Sequence, residues 1–166
     1  MPKKNQKSNL DEILAEFDDP LVKARIIAKL AGEKEVEDSL ITFCIKTLFE
    51  KGNVKEAGKA AEEFGRNEDA ITIYANNGYK VYAAEFAERI GQIDTAVLLY
   101  AEMNSTEDIK KVLLNAHRYS EAYAFLASQA KVHNWRYSEA AQLVVDGRVS
   151  YNKTASMNQR ISESKI

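Results

Sequence analysis

Cys44 is the only cysteine in this 166-residue chain, so no disulfide can close within it, a usage that fits a reducing compartment. Histidine is nearly as scarce. His117 and His133 lie sixteen residues apart and far from Cys44, which forms neither a zinc-ligand spacing nor a His-Glu-x-x-His motif. The seven glycines never assemble Gly-x-Gly-x-x-Gly or Gly-Lys-Ser/Thr, so no phosphate-cradling loop is indicated. No apolar run approaches the ~20 residues of a membrane span. Met1 to Asn9 is polar and lysine-bearing, without the apolar core of a secretory signal. Without such a signal, Asn104-Ser105-Thr106 and Asn152-Lys153-Thr154 carry little weight as glycosylation sites, and the expected location is cytoplasmic. Ser164-Lys165-Ile166 loosely resembles a peroxisomal tail but ends in the wrong residue.

What the chain does have is a count of thirteen. Gly52, Gly65, Gly78 and Gly91 are spaced by thirteen residues, and Asn104 falls on the next beat. Ala57, Ala70, Ala83, Ala96, Ile109 and Ala122 keep the same period, each preceded by Glu56, Asp69, Tyr82, Thr95, Asp108 or Glu121. A strict period marks stacked repeats. Glycine and asparagine tolerate the left-handed backbone that ends a helix. The apolar residues after each one, such as Ala96, Leu99, Tyr100 and Met103, recur at i, i+3, i+4 and i+7 and so line one helix face. Thirteen residues hold a helix of roughly ten, some 15 Å long, and a turn too tight for anything but an antiparallel neighbour.

A 26-residue echo overlies the shorter one: Ala57, Ala60, Ala61, Glu62 and Gly65 match Ala83, Phe86, Ala87, Glu88 and Gly91. The unit is therefore a helical hairpin, and the predicted fold is an all-α solenoid of short antiparallel helices. Four segments divide what is a single domain by length: a flexible basic tail (1–8), an N-terminal helical cap (9–51), the repeat array (52–147), and a tail or weak helix (148–166).

In the cap segment Asn9 reads as an N-cap with Glu12 completing a box, ahead of an apolar face of Leu10, Ile13, Leu14 and Phe17. Asp18-Asp19-Pro20 breaks that helix and starts another, predicted to run to Gly32. A third is predicted from Glu35 to Lys51, presenting Val36, Leu40, Phe43, Cys44, Thr47 and Leu48. Past residue 129, Arg118-Tyr119-Ser120-Glu121-Ala122 recurs as Arg136-Tyr137-Ser138-Glu139-Ala140. The insertion places a last helix over 137–145, ended by Asp146-Gly147, with Trp135 expected to cap it rather than to stand as an exposed anchor.

Charge is uneven. Residues 52–129 hold 8 basic against 12 acidic side chains, and 130–166 hold 6 against 3. Acidic repeats argue against a nucleic-acid groove, which needs a basic stripe. The paired acids (Asp18-Asp19, Glu62-Glu63, Glu68-Asp69, Glu107-Asp108) mostly sit at helix starts, where the macrodipole favours them. Ser105 with Asp108 reads as an N-cap box, His117 as a helix end, and Cys44 as a buried, inert thiol. Tyr74 and Tyr100 belong to the apolar face. Tyr79, Tyr82 and Tyr123 fall outside it, where they either pack against the next layer or bind a partner.

Gly52-Asn-Val-Lys-Glu-Ala57 and Glu68-Asp-Ala-Ile-Thr-Ile-Tyr74 resemble tetratricopeptide-type hairpins. The short, nearly equal helices are more similar to the solenoids of vesicle-coat and intraflagellar-transport subunits. The unit departs from true tetratricopeptide repeats in its length of 26 and its lack of proline. The resemblance covers about 52–145 and implies protein–protein scaffolding. We therefore expect a non-enzymatic scaffold or adaptor for a protein or peptide partner, without cofactor, metal or catalytic residue. Lys59, Tyr79, Tyr82, Glu85 and Lys111, which lie off the buried stripe, are the candidate contacts. The alternatives are an RNA-binding helical-repeat module and a self-assembling structural subunit.

Overall fold

A computed structural model describes residues 7–31, 36–130 and 136–149. The fold is all-α: among these residues there is no strand, and ten helices follow one another. They are α1 (Lys7–Ala15), α2 (Pro20–Lys29), α3 (Asp38–Glu50), α4 (Val54–Glu63), α5 (Asn67–Asn76), α6 (Lys80–Arg89), α7 (Ile93–Glu102), α8 (Thr106–Asn115), α9 (Tyr119–Ala130) and α10 (Arg136–Val145).

The thirteen-residue beat is ten helical residues plus three of turn, and each turn has the same anatomy. One residue caps the helix, the next is left-handed, and the third is already the N-cap of the helix that follows. Gly52, Gly65, Gly78 and Gly91 take φ of 71° to 85°; Asn104 and His117 take 55° and 57°. The residue after each reaches back to bond the carbonyl five positions earlier, as in Arg66 N to Ala61 O (2.8 Å) and Arg118 N to Leu113 O (2.8 Å). In five of the six turns, Gly78 being the exception, the left-handed residue also bonds three back, as in Gly65 N to Glu62 O (3.0 Å). Together these satisfy carbonyls that a helix end otherwise leaves without partners.

The alanine row follows from the same geometry. Each member donates its N–H to the N-cap carbonyl, as Ala70 does to Arg66 (3.0 Å), so it sits four residues into its helix. Ala57, Ala70, Ala83, Ala96 and Ala122 are fully buried, and Ile109 is 4% exposed. In four of the six blocks an acid precedes it, one place closer to the helix start. There Asp69 and Glu121 pair with the arginines that serve as N-caps, Arg66 and Arg118, offsetting a cation that the helix dipole would otherwise disfavour.

Two compact units divide the chain, Met1–Ala83 and Ala84–Ile166, the division falling within α6. In the first, α2 packs on α3, α3 on α4 and α4 on α5 around Ala24, Ile27, Cys44, Leu48, Ala57, Ala61 and Tyr74. In the second, α7 packs on α8, α8 on α9 and α9 on α10 around Ala96, Leu99, Val112, Leu113, Leu126 and Leu143.

Several expectations shift. Helix α1 begins at Lys7, which puts Asn9 in its first turn rather than at the cap. Leu14 is buried, whereas Ile13 and Phe17 are 40% and 37% exposed, because consecutive helical residues point about 100° apart and Phe17 lies beyond the helix end. Pro20 does open α2, and Asp19 Oδ1 caps it by accepting from Leu21 N at 2.8 Å. That helix ends at Lys29, and Gly32 lies outside the described residues. Helix α3 starts at Asp38 and buries Cys44, Ile45, Thr47 and Leu48, a face that turns Phe43 outward. Ser105 is the N-cap of α8, but its hydroxyl donates to the Asp108 carboxylate instead of capping a backbone N–H. His133, Trp135 and 150–166 lie outside the described residues, while Val149 is buried and donates its N–H to Leu143 O at 3.1 Å.

Candidate partner-binding surface

A groove of about 320 Å³ opens in the first unit between α3 and α5. Helix α4 bridges the two, and its buried residues are all small: Ala57, Gly58, Ala60 and Ala61. Ile45, Phe49 and Ile73 give the groove its apolar surface, and Thr42, Lys46, Asp69, Thr72, Asn76 and Asn77 its polar rim. At one end Arg66 links the two helices, its guanidinium reaching Asp38 at the start of α3 (2.7 Å) and Asp69 in the first turn of α5 (2.9 Å). At the other end Asn77 Nδ2 donates to Ile73 O (2.7 Å), tying down the last turn of α5. Phe49 remains 41% exposed. Lys46 lies 3.8 Å from Glu50, both side chains well exposed, a pair of the kind that contributes little.

Of the residues singled out from the sequence, Tyr79 and Tyr82 come together, their ring centroids 6.0 Å apart and nearly perpendicular. Lys55, which the sequence reading passed over, joins them: its Nζ stands 5.1 Å and 4.9 Å from the two centroids. Only the spacings Lys55–Tyr79 and Lys55–Tyr82, close to one 26-residue hairpin, hinted at this. Lys59 is exposed on α4, 3.7 Å from Glu63. Glu85 and Lys111 are exposed in the second unit. Tyr123, read as lying off the apolar stripe, is 8% exposed and packed in the core, so for it the packing reading holds. Tyr74 and Tyr100 are core, at 4% and 5%. Burial raises the Tyr100 hydroxyl above its usual range, helped by Asp108, Glu88 and Glu85.

Cys44 is fully buried and its Sγ lies 3.1 Å from Ala24 O. Burial pushes the thiol up to about 11, so it is not a nucleophile at neutral pH. Lys110 joins Glu107 (2.6 Å) and Glu139 (3.1 Å), linking α8 to α10. Arg118 joins Glu121 and Asp94 (2.6 Å). Among the described residues no three His, Cys, Asp or Glu side chains gather as a metal site, and no helix is long and apolar enough to cross a membrane. Comparison with family models, with curated proteins and with solved structures finds no match.

Proposed function

We propose that this chain is a non-enzymatic helical-repeat scaffold that binds another protein through the groove between α3 and α5. The observation that carries the reading is the groove itself: an apolar floor with a polar rim, with the Asp38–Arg66–Asp69 contacts crossing between α3 and α5 at one end. Binding sites are concave, largely apolar and preformed, and this one joins the last helix of the N-terminal segment to the first hairpin of the array. The resemblance of Gly52 to Ala57 and Glu68 to Tyr74 to tetratricopeptide-type and vesicle-coat hairpins supports the same reading. So does the acidic balance of residues 52–129, which suits a protein partner better than RNA.

The test is capture from native lysate with the wild type, Phe49→Asp, Asn76→Arg and, as a surface control, Leu98→Asp. A protein retained by the wild type and the control but lost by both groove variants supports the proposal, provided circular dichroism shows all four folded. A protein retained by both groove variants, or a captured fraction that nuclease and salt remove, would contradict it.

A further inference from the structure

From α3 to α8 the outward position of each helix keeps the beat of thirteen, and one helix breaks its chemistry. Lys46, Lys59, Thr72, Glu85, Leu98 and Lys111 stand thirteen residues apart, and all six are exposed. Five are polar or charged, as a solvated position should be. Leu98 alone is apolar, and at 65% it is the most exposed large hydrophobic side chain among the described residues. Asp94, Val97, Leu98 and Ala101 fall at i, i+3, i+4 and i+7 and so share one face of α7. Val97 is half-buried and Ala101 is short, so Leu98 projects from that face. Helix α7 carries no cation: its charges are Asp94 and Glu102, about one turn to either side of Leu98.

The α3–α5 groove is the counterpart of that face. Its hollow of about 320 Å³ is floored by Ile45, Phe49 and Ile73, and its rim bears Lys46. The charge of Arg66 is matched within the chain by Asp38 and Asp69, whereas Lys46 has only Glu50 at 3.8 Å, both side chains well exposed. We propose that the groove of one copy receives Leu98 of a second copy, with the acids of α7 set against Lys46. An apolar projection flanked by carboxylates meets an apolar hollow flanked by an ammonium, so the two faces agree in shape and in sign of charge. A contact this small is weak and forms at high local concentration. The inference rests on the groove being a docking surface, and it adds a regulation: a second copy seated there excludes another protein.

Sedimentation equilibrium of the full chain, carried to about 1 mM, tests this contact. The mass of the wild type should rise with concentration. Phe49→Asp, which puts a carboxylate on the groove floor, and Leu98→Asp, which removes the projection, should each weaken association about tenfold or more. Lys46→Glu should weaken it about 2- to 5-fold. An equimolar mixture of Phe49→Asp and Leu98→Asp should associate again and stop at pairs, because the first still carries Leu98 and the second an intact groove. If circular dichroism shows Phe49→Asp unfolded, Asn76→Arg on the same groove takes its place. A wild type that stays monomeric throughout would overturn the proposal. So would association indifferent to the aspartate variants, or a mixture no better than its components, which would mean that like faces meet. Leu98→Asp keeps its groove, so it should lose self-association and still capture a partner protein. A monomeric wild type that captures its partner refutes this inference and leaves the scaffold reading standing.

Discussion

Gly58 and Tyr74 are fitted to each other. A β-carbon on Gly58 would stand 2.5 Å from Cζ and 2.9 Å from Cδ1 of the Tyr74 ring. Gly58 lies in the middle of α4, where glycine costs about 1 kcal/mol relative to alanine, and that cost is the condition for the ring to lie against the helix backbone. Tyr74 cannot swing aside freely, being buried and backed by Tyr82.

Gly58→Ala should therefore destabilise the protein by about 1–3 kcal/mol, the usual effect of overpacking, although helix propensity alone would favour alanine. In urea the midpoint should fall. Adding Tyr74→Leu should make Gly58→Ala less harmful than it is alone, and strict additivity of the two changes would mean that the ring and the missing β-carbon are not coupled.

The left-handed turn positions give a pair of opposite expectations. A β-carbon on Gly65 would meet nothing within 4 Å, so Gly65→Ala tests the backbone alone and should cost about 1 kcal/mol. Asn104 holds φ of 55° with a side chain in place, and Asn104→Gly should be neutral or stabilise by a few tenths of a kcal/mol. Thermal midpoints moving in the same direction for both would argue against the shared turn geometry.

Adjacent leucines in α7 should behave differently. Leu98 is 65% exposed and Leu99 8%. Leu99→Ala should cost about 2–5 kcal/mol, while Leu98→Ala should stay within about 0.5 kcal/mol of wild type. Denaturant titration of the two variants reads this directly.

Cys44 sets an alkaline limit. Its thiol is raised from 9.0 to about 11 in the fold, so the unfolded chain releases its proton first. The contribution is complete below pH 9, declines as pH rises above it, and is exhausted once pH passes about 11. The loss should reach about 3 kcal/mol. Cys44→Ala should flatten that part of the stability–pH curve. Ellman's reagent should leave the native thiol unmodified at neutral pH and react promptly in urea.

The beat of thirteen, and nearly all that goes with it, is legible in the residues alone. A left-handed residue followed at once by an N-cap is a property of three or four neighbouring peptide units, and local backbone energetics write it into Gly52, Gly65, Gly78 and Gly91. The burial of Ala57, Ala70, Ala83 and Ala96 follows from where those turns place the fourth helical residue. Helix ends in 9–51 were less legible. Beyond Asp19-Pro20 and the closing Gly52 little punctuation marks them, and each apolar face there could be drawn to include one residue too many, as Ile13 and Phe43 show.

Which side chains meet is a matter of helix packing, and no local pattern carries it. Gly58 reads as a weakness in a helix until the Tyr74 ring is found against it. Lys55 reads as an ordinary solvated lysine until α6 brings Tyr79 and Tyr82 beneath it. The groove needs the rotation of α3 relative to α5, and the Arg66 bridge to Asp38 spans 28 residues. Such contacts depend on how far each helix is turned about its own axis when it packs. A periodic pattern names the buried stripe, but the residues at its edges are sorted by a few tens of degrees that the sequence does not encode locally.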